Sequence, residues 1–286
     1  MRELGEPIAM VTAYDFPSAQ VAEAAGVDIV LVGDSGAMTV LGHDLTVPVG
    51  MDEMLMLAAA VRRGLRTAFL VGDMPFGSYE NSNEQAIANA QRFIKEAGCD
   101  AVKLERGGAS VDRARAIVRA GIPVMGHVGL TPQTATCAFM ATRPRAGPRA
   151  GRPDRRGRLR AAGGRLLQRI VFEAVPAAVT EAIMPRMEVP VIGIGAGGAT
   201  NGQVLVFHDL LGIHTGHTAR FVQARRRHPR GHGRRRLRLR PTSAVAALRG
   251  LAHVLDRLRT SSRRSSSTSS RIRSRAPLPG LVAGPG

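Results

Sequence analysis

Five polar side chains recur at one kind of place along the 286-residue chain. Asp34, Asp73, Glu105, His127 and Glu173 each fall at or near the end of a short apolar run, and Lys103 stands two residues before Glu105. Asp34, Asp73 and Glu105 come from separate runs with no thiolate nearby, so together they make a hard, all-oxygen donor set. Such a set suits Mg2+, with positions left open for water or for a substrate that chelates through two oxygens. A 2-oxo acid chelates in that way, and a metal at its carbonyl stabilises the enolate left when the neighbouring carbon loses a proton. Lys103 adds positive charge for the substrate carboxylate. Glu173 lies in IVFEAVP, a run otherwise apolar, where desolvation favours a basic carboxylate; it is the candidate proton acceptor. Any one of these acids alone would read as a helix cap or a surface ion pair, but five polar residues at five equivalent positions call for a common site. His127, in GHVGLTP, fits a histidine bonded to a backbone carbonyl as well as it fits a ligand contact.

The runs that carry these residues set the fold. AMVTAYD (9 to 15), VDIVLVGD (27 to 34), RTAFLVGD (66 to 73), DAVKLE (100 to 105), IPVMGHVG (122 to 129), IVFEAVP (170 to 176) and VPVIGIGAG (189 to 197) read as strands, with LLGIH (210 to 214) a weaker eighth. Between them, FPSAQVAEAAG, MDEMLMLAAAVRRG, NEQAIANAQRFIKEAG and ASVDRARAIVRAG have helical spacing and stop at Gly. Continuous apolar strands alternating with helices indicate a parallel sheet covered on both faces. Eight such units favour an α/β (β/α)8 TIM barrel over an open sheet, because only a barrel brings all the strand ends to one mouth. Asp15 suits a helix cap or a substrate contact, and His43 and Asp44 shape a loop over the mouth. Met51, Met54 and Met56 follow helical spacing as core residues. The GxGxxG of Gly193, Gly195 and Gly198 opens no helix and has no acid about 20 residues on, so it reads as a strand end turning near the mouth.

The net charge of +18 is unevenly spread. Residues 1 to 136 carry −5 and residues 170 to 222 carry −2, as in an ordinary acidic enzyme, whereas residues 137 to 169 carry +9 and residues 223 to 286 carry +16. Both basic stretches use Arg alone; the only lysines of the chain are Lys95 and Lys103. Arg with Pro, Gly, Ala and Ser and no apolar periodicity reads as GC-rich DNA translated in the wrong frame, the alternative being a disordered arm that binds RNA or another polyanion. The expected organisation is therefore a catalytic barrel over 1–222, interrupted by the aberrant segment 137–169, and a disordered or out-of-frame tail over 223–286. Two cysteines, Cys99 and Cys137, build no disulfide framework. The start MRELGEPIAM lacks a signal-peptide pattern and no apolar run approaches 18 residues, so the chain is expected in the cytoplasm, with neither membrane nor specific nucleic acid as partner.

TAYD, LVGDSGAMTVLGHDLTVPV, GDMPFGSY, AVKLERG, GHVGLTPQ, FEAVP and PVIGIGAG, in this order, resemble the ketopantoate hydroxymethyltransferase family from about residue 8 to 136 and from 170 to 222. The resemblance implies a barrel of the phosphoenolpyruvate/pyruvate type, assembled as a homodecamer. It also implies transfer of a one-carbon unit from 5,10-methylenetetrahydrofolate to 3-methyl-2-oxobutanoate in pantothenate synthesis. By the same resemblance Asp34, Asp73 and Glu105 are the Mg2+ ligands, Glu173 is the catalytic proton acceptor, and Asp34, Ser35, Asp73, Lys103 and His127 contact the substrate. The chain departs from the family in the two Arg-only stretches. Two other functions stay open: an Mg2+-dependent aldolase or lyase on another 2-oxo acid, and a polyanion-binding protein working through its Arg-rich arms.

Overall fold

The computed structural model of the chain describes residues 7–134 and 167–213. Eight parallel strands close into a barrel in strict sequence order: β1 (Ile8–Thr12), β2 (Ile29–Val32), β3 (Phe69–Asp73), β4 (Ala101–Glu105), β5 (Val124–Gly129), β6 (Arg169–Glu173), β7 (Val191–Ile194) and β8 (Gly202–Leu205), with β8 returning to β1. The helices are α1 (Phe16–Ala24), α2 (Gly36–Thr39), α3 (Met51–Gly64), α4 (Asn83–Lys95), α5 (Ala109–Arg119), α6 (Ala177–Ile183) and α7 (Phe207–Leu211). Among the described residues no helix is long and apolar enough to cross a membrane. The Arg-rich stretches lie outside the described residues, as does Cys137, with one exception. Leu167, Gln168 and Arg169, at the end of the stretch 137–169, are ordered structure, and Arg169 begins β6 with its guanidinium over the Phe69 ring.

The strands alternate strictly between two environments. Ile8, Met10, Ile29, Leu31, Val71, Ala101, Met125, Val171, Ile192 and Val204 fill the barrel interior as one cluster. The intervening residues, such as Val11, Val30, Leu70, Val102 and Val124, face the helices and join Leu57, Val61, Phe93 and Ile117 in an outer core. Both faces are buried, which is why the strands read as unbroken apolar runs. At Gly72 of β3 a Cβ would come within 2.4 Å of the Phe93 ring, so the missing side chain admits α4 onto the barrel. Met54 belongs to that core, but Met56 on the same helix is 60% exposed, so the methionine cluster is not uniformly internal.

The eighth strand is not LLGIH. It is the four-residue Gly202–Leu205, and Leu210 and Leu211 lie in α7, which ends on Gly212 at φ +64°. Phe207 and Leu210 pack into the outer core, so their spacing is helical. The strand itself hides behind the turn-like text TNGQ. Its first residue must be Gly, since a Cβ there would lie 2.4 Å from the Ile8 carbonyl oxygen.

Carboxylates tie the elements together away from the mouth. Asp28, just before β2, accepts from the Ala9 N–H at 2.7 Å, and Asp100, just before β4, accepts from the Leu70 N–H at 2.7 Å. Asp15 caps α1, accepting from Ser18 N–H at 2.7 Å, the first of the two roles its position suggests. Glu23 accepts from the Thr67 hydroxyl and from the N–H groups of Thr67 and Ala68. Burial alone would raise its pKa, but these donors outweigh it and hold the carboxyl below the ordinary value. Because the folded pKa is lowered, the stabilisation is present above the unfolded pKa and disappears as pH falls through the folded one. Glu23→Gln is therefore expected to cost about 1 kcal/mol near pH 7, with the difference shrinking as pH falls below the unfolded value of about 4.3, measured by urea unfolding across pH.

Candidate active site

Inward parity carries the chemistry. Asp73, Lys103, Glu105, His127 and Glu173 stand at the alternating positions that continue the interior cluster of Val71, Ala101, Met125 and Val171 toward the C-terminal ends of the strands. Strand register then fixes the neighbours: Asp73 pairs across from Lys103, Glu105 from His127 and Gly129 from Glu173. The result is one continuous chain of polar contacts. The Asp34 N–H donates to Asp73 Oδ2 at 3.1 Å, and Asp73 Oδ1 lies 2.8 Å from Lys103 Nζ. Lys103 Nζ is 3.5 Å from Glu105 Oε1 and 3.2 Å from His127 Nδ1. His127 Nδ1 is 3.1 Å from Glu105 Oε1, and its Nε2 faces Glu173 Oε2 at 3.2 Å. The five inward residues and Asp34, read from the sequence as one group, are thus brought together at one mouth.

Burial and mutual repulsion set the charges. Burial pushes the Asp73 carboxyl up to about 7, with Lys103 pulling the other way and Asp34 and Glu105 adding to the rise. Burial likewise raises Asp34. For Glu105 the penalty of burial is overcome by the Lys103 ammonium and by His127, which lower its pKa. Burial works against the Lys103 charge, but Asp73, Glu105 and Asp34 outweigh it and keep the ammonium protonated. His127 is raised despite burial and Lys103, because Glu105 and Glu173 both favour the imidazolium.

The donor set fits a magnesium ion. Asp34 Oδ2 is a buried oxygen without a hydrogen bond, while Asp73 Oδ1 and Glu105 Oε1, equally buried, are engaged only by the cationic Lys103 and His127. Buried carboxylate oxygens are the ligands a small hard cation takes, and an ion would supply there the counter-charge that the ammonium now supplies. Among the described residues no three acidic or histidine side chains are yet gathered about one point; the Lys103 ammonium stands between Asp73 and Glu105. The polar row opens on a cavity that Asp73, Lys103 and His127 line together with apolar side chains, among them Leu31, Val171, Ile194 and Val206, with Glu173, the more exposed partner of His127, on its rim.

The backbone at the two glutamates is specialised. Arg106 and Ala174, the residues directly after Glu105 and Glu173, both hold positive φ, at +73° and +52°. Gly129 has φ +105°, and a Cβ on it would lie 2.0 Å from the Glu173 carbonyl oxygen, so only Gly lets β5 and β6 part there. That carbonyl accepts from the Leu130 N–H at 2.9 Å, and the Ala174 N–H donates to Ile194 at 2.9 Å, clamping Glu173 from both sides.

Ser35 lines the same cavity, its hydroxyl 2.8 Å from the Tyr14 hydroxyl. His43 and Asp44 are exposed, and the residue of their loop that turns inward is Thr46, whose hydroxyl lowers the Asp34 pKa against burial. Thr46, Tyr79 and Gln133 are polar residues of this site that the strand-end pattern does not reveal, since all three come from loops or helix starts. The glycines of IGIGAGG do end a strand and turn: Gly193 lies in β7, and Gly195 and Gly197 hold positive φ.

Residues 1–228 match the sequence profile of the ketopantoate hydroxymethyltransferase family. The chain is 50% identical over 230 residues to the 3-methyl-2-oxobutanoate hydroxymethyltransferase of Moorella thermoacetica, covering 78% of this chain and 82% of that protein. It is 47% identical over 229 residues to the enzyme of the same name from Desulfotalea psychrophila, covering 78% and 80%. The fold is shared with phosphoenolpyruvate phosphomutase from Streptomyces platensis subsp. rosaceus, at a TM-score of 0.52 and 17% identity, covering 74% of this chain and 82% of that one. It is also shared with 2,3-dimethylmalate lyase, at a TM-score of 0.51 and 17% identity, covering 71% and 77%. With a matching profile over most of its length and relatives near 50% identity, the chain belongs to the ketopantoate hydroxymethyltransferase family.

Proposed function

We propose that the protein transfers a one-carbon unit from 5,10-methylenetetrahydrofolate to 3-methyl-2-oxobutanoate, giving 2-dehydropantoate for pantothenate synthesis. The observation that carries this reading is the placement of Glu173 on the cavity rim, held by His127 at 3.2 Å, in the same polar row as three buried carboxylates. Asp34, Asp73 and Glu105 would hold Mg2+, which, when bound, supplies the positive charge that stabilises an enolate oxygen. The apolar wall of Leu31, Val171, Ile194 and Val206 receives the branched end of the oxo acid. Lys103 and the Ser35 hydroxyl, which line the same cavity, would meet its polar end. Glu173 takes the proton from C3; water adds to the folate-borne carbon and its C–N bonds break, releasing tetrahydrofolate and a one-carbon carbonyl, and the electron pair on C3 forms the new C–C bond to that carbonyl carbon, whose oxygen takes up the proton and becomes the hydroxyl. The His127 imidazole orients the Glu173 carboxylate and shares the proton's charge.

A magnesium-dependent lyase acting on another 2-oxo acid would use the same row and the same base, and the barrel shared with 2,3-dimethylmalate lyase suits that chemistry as well. The two readings part at the folate. Incubation with 3-methyl-2-oxobutanoate, Mg2+ and 5,10-methylenetetrahydrofolate, followed by NMR, is expected to show 2-dehydropantoate forming in step with tetrahydrofolate. Turnover of a 2-oxo acid that proceeds without folate would replace this reading with the lyase.

A further inference from the structure

Gln133 belongs to no catalytic motif, yet its backbone holds Glu105 and its side chain holds the residue that follows Asp73. It is almost wholly buried, in the helical residues 132–134 that follow β5. Its N–H donates to Glu105 Oε2 at 3.1 Å. Its side-chain nitrogen donates to the carbonyl of Met74, the residue after Asp73, at 2.9 Å. Its side-chain oxygen accepts from the Tyr79 hydroxyl at 2.6 Å, and that hydroxyl in turn accepts from the Glu105 N–H at 3.4 Å. The connections after β3, β4 and β5 are thereby joined through one amide.

The geometry has a directional consequence. With Oε2 held by the Gln133 N–H, the other oxygen, Oε1, is turned inward toward Lys103 Nζ at 3.5 Å and His127 Nδ1 at 3.1 Å. The Tyr79–Gln133 bond fixes where that N–H stands. A buried amide with its oxygen and nitrogen both engaged has little freedom to rotate, so the network is rigid rather than adaptable.

Resting on the magnesium reading above, we infer that Gln133 and Tyr79 are positioning residues for the cation site: they preset Glu105, and the backbone beside Asp73, so that the carboxylates are aimed before the ion arrives. Groups that orient metal ligands in this way typically change affinity by about 10- to 100-fold when removed. Gln133→Met keeps the volume and loses both side-chain hydrogen bonds; Tyr79→Phe loses a single hydroxyl and keeps the ring.

Calorimetric titration of the full chain with MgCl2, without substrate, tests this. Gln133→Met is expected to weaken Mg2+ binding by about 10-fold or more and Tyr79→Phe by a smaller factor, with the double variant weakened by less than the product of the two factors because the residues share the Tyr79–Gln133 bond. Saturating Mg2+ should return kcat to near the wild-type value in both single variants, a rescue that a purely structural role would not give. Wild-type Mg2+ affinity in both variants, even with a lowered melting temperature, would overturn the assignment. If Gln133→Met does not fold, Tyr79→Phe decides alone, and unchanged affinity there overturns it equally. A wild-type chain that binds no Mg2+ would instead refute the magnesium reading, and this inference with it.

Discussion

Glu173→Gln is expected to lower kcat by about 10³-fold, within the 10²- to 10⁴-fold that a positioned general base contributes. The amide matches the carboxylate in shape, so it can still stand against His127 Nε2, where Glu173 Oε2 now lies 3.2 Å away. It cannot accept a proton. The backbone clamp from Leu130 and Ile194 is independent of the side chain, so the fold around residue 173 should be unchanged. The loss therefore falls on the transition state, about 4 kcal/mol at 1.36 per tenfold. Mg2+ affinity should hold, because Asp34, Asp73 and Glu105 are untouched. The sharper readout is exchange of the C3 proton of 3-methyl-2-oxobutanoate with deuterium in Mg2+ and D2O, followed by NMR in the absence of folate. Exchange should fall by the same factor as kcat. Exchange at the wild-type rate in the variant would show that another group removes the proton, and His127, at the other end of the same contact, would be the next to test.

The strand-end acids were accessible from sequence because a barrel strand has a period of two and both its faces are apolar. A charge at inward parity therefore interrupts an otherwise apolar run, as Asp73, Glu105 and Glu173 do. The loop partners carry no such mark. Gln133 and Tyr79 are neutral residues in turn-rich text, and their contacts in the network span 26 to 59 residues of chain, so nothing local announces them. The strand Gly202–Leu205 was hidden for a related reason: at four residues, behind an Asn-Gly pair, it is shorter than the apolar window of LLGI that follows, and tertiary closure onto β1 rather than propensity makes it a strand. The position of Lys103 was also beyond sequence. Its spacing to Glu105 predicts a shared face, and the structure adds that its ammonium sits between Asp73 and Glu105.

That position makes Lys103→Met the substitution with the largest expected effect on stability. The ammonium is buried 2.8 Å from Asp73 and 3.5 Å from Glu105, with Asp34 adding to the negative field. Methionine fills nearly the same volume, so the cost is electrostatic: removing one partner of a buried ion pair typically costs about 3 to 5 kcal/mol. The pH dependence identifies the cause. An acid whose folded pKa lies above its unfolded value binds more protons when folded, so stability declines as pH rises through the interval between the two values. Burial already lifts Asp73 to about 7, and loss of the nearest cation lifts it further. The deficit against wild type should accordingly be larger at pH 8 than at pH 5, by up to about 1.4 kcal/mol, the loss linked to the one pH unit between the wild-type value of about 7 and pH 8. Mg2+ supplies the missing charge among the same carboxylates, so its addition should raise the melting temperature of the variant more than that of the wild type, where the lysine ammonium competes for the same ground. Thermal unfolding at the two pH values, with and without Mg2+, measures all of this at once. A deficit that is the same at both pH values and insensitive to Mg2+ would mean that Lys103 stabilises the barrel by packing alone, and that the carboxylates do not depend on its charge.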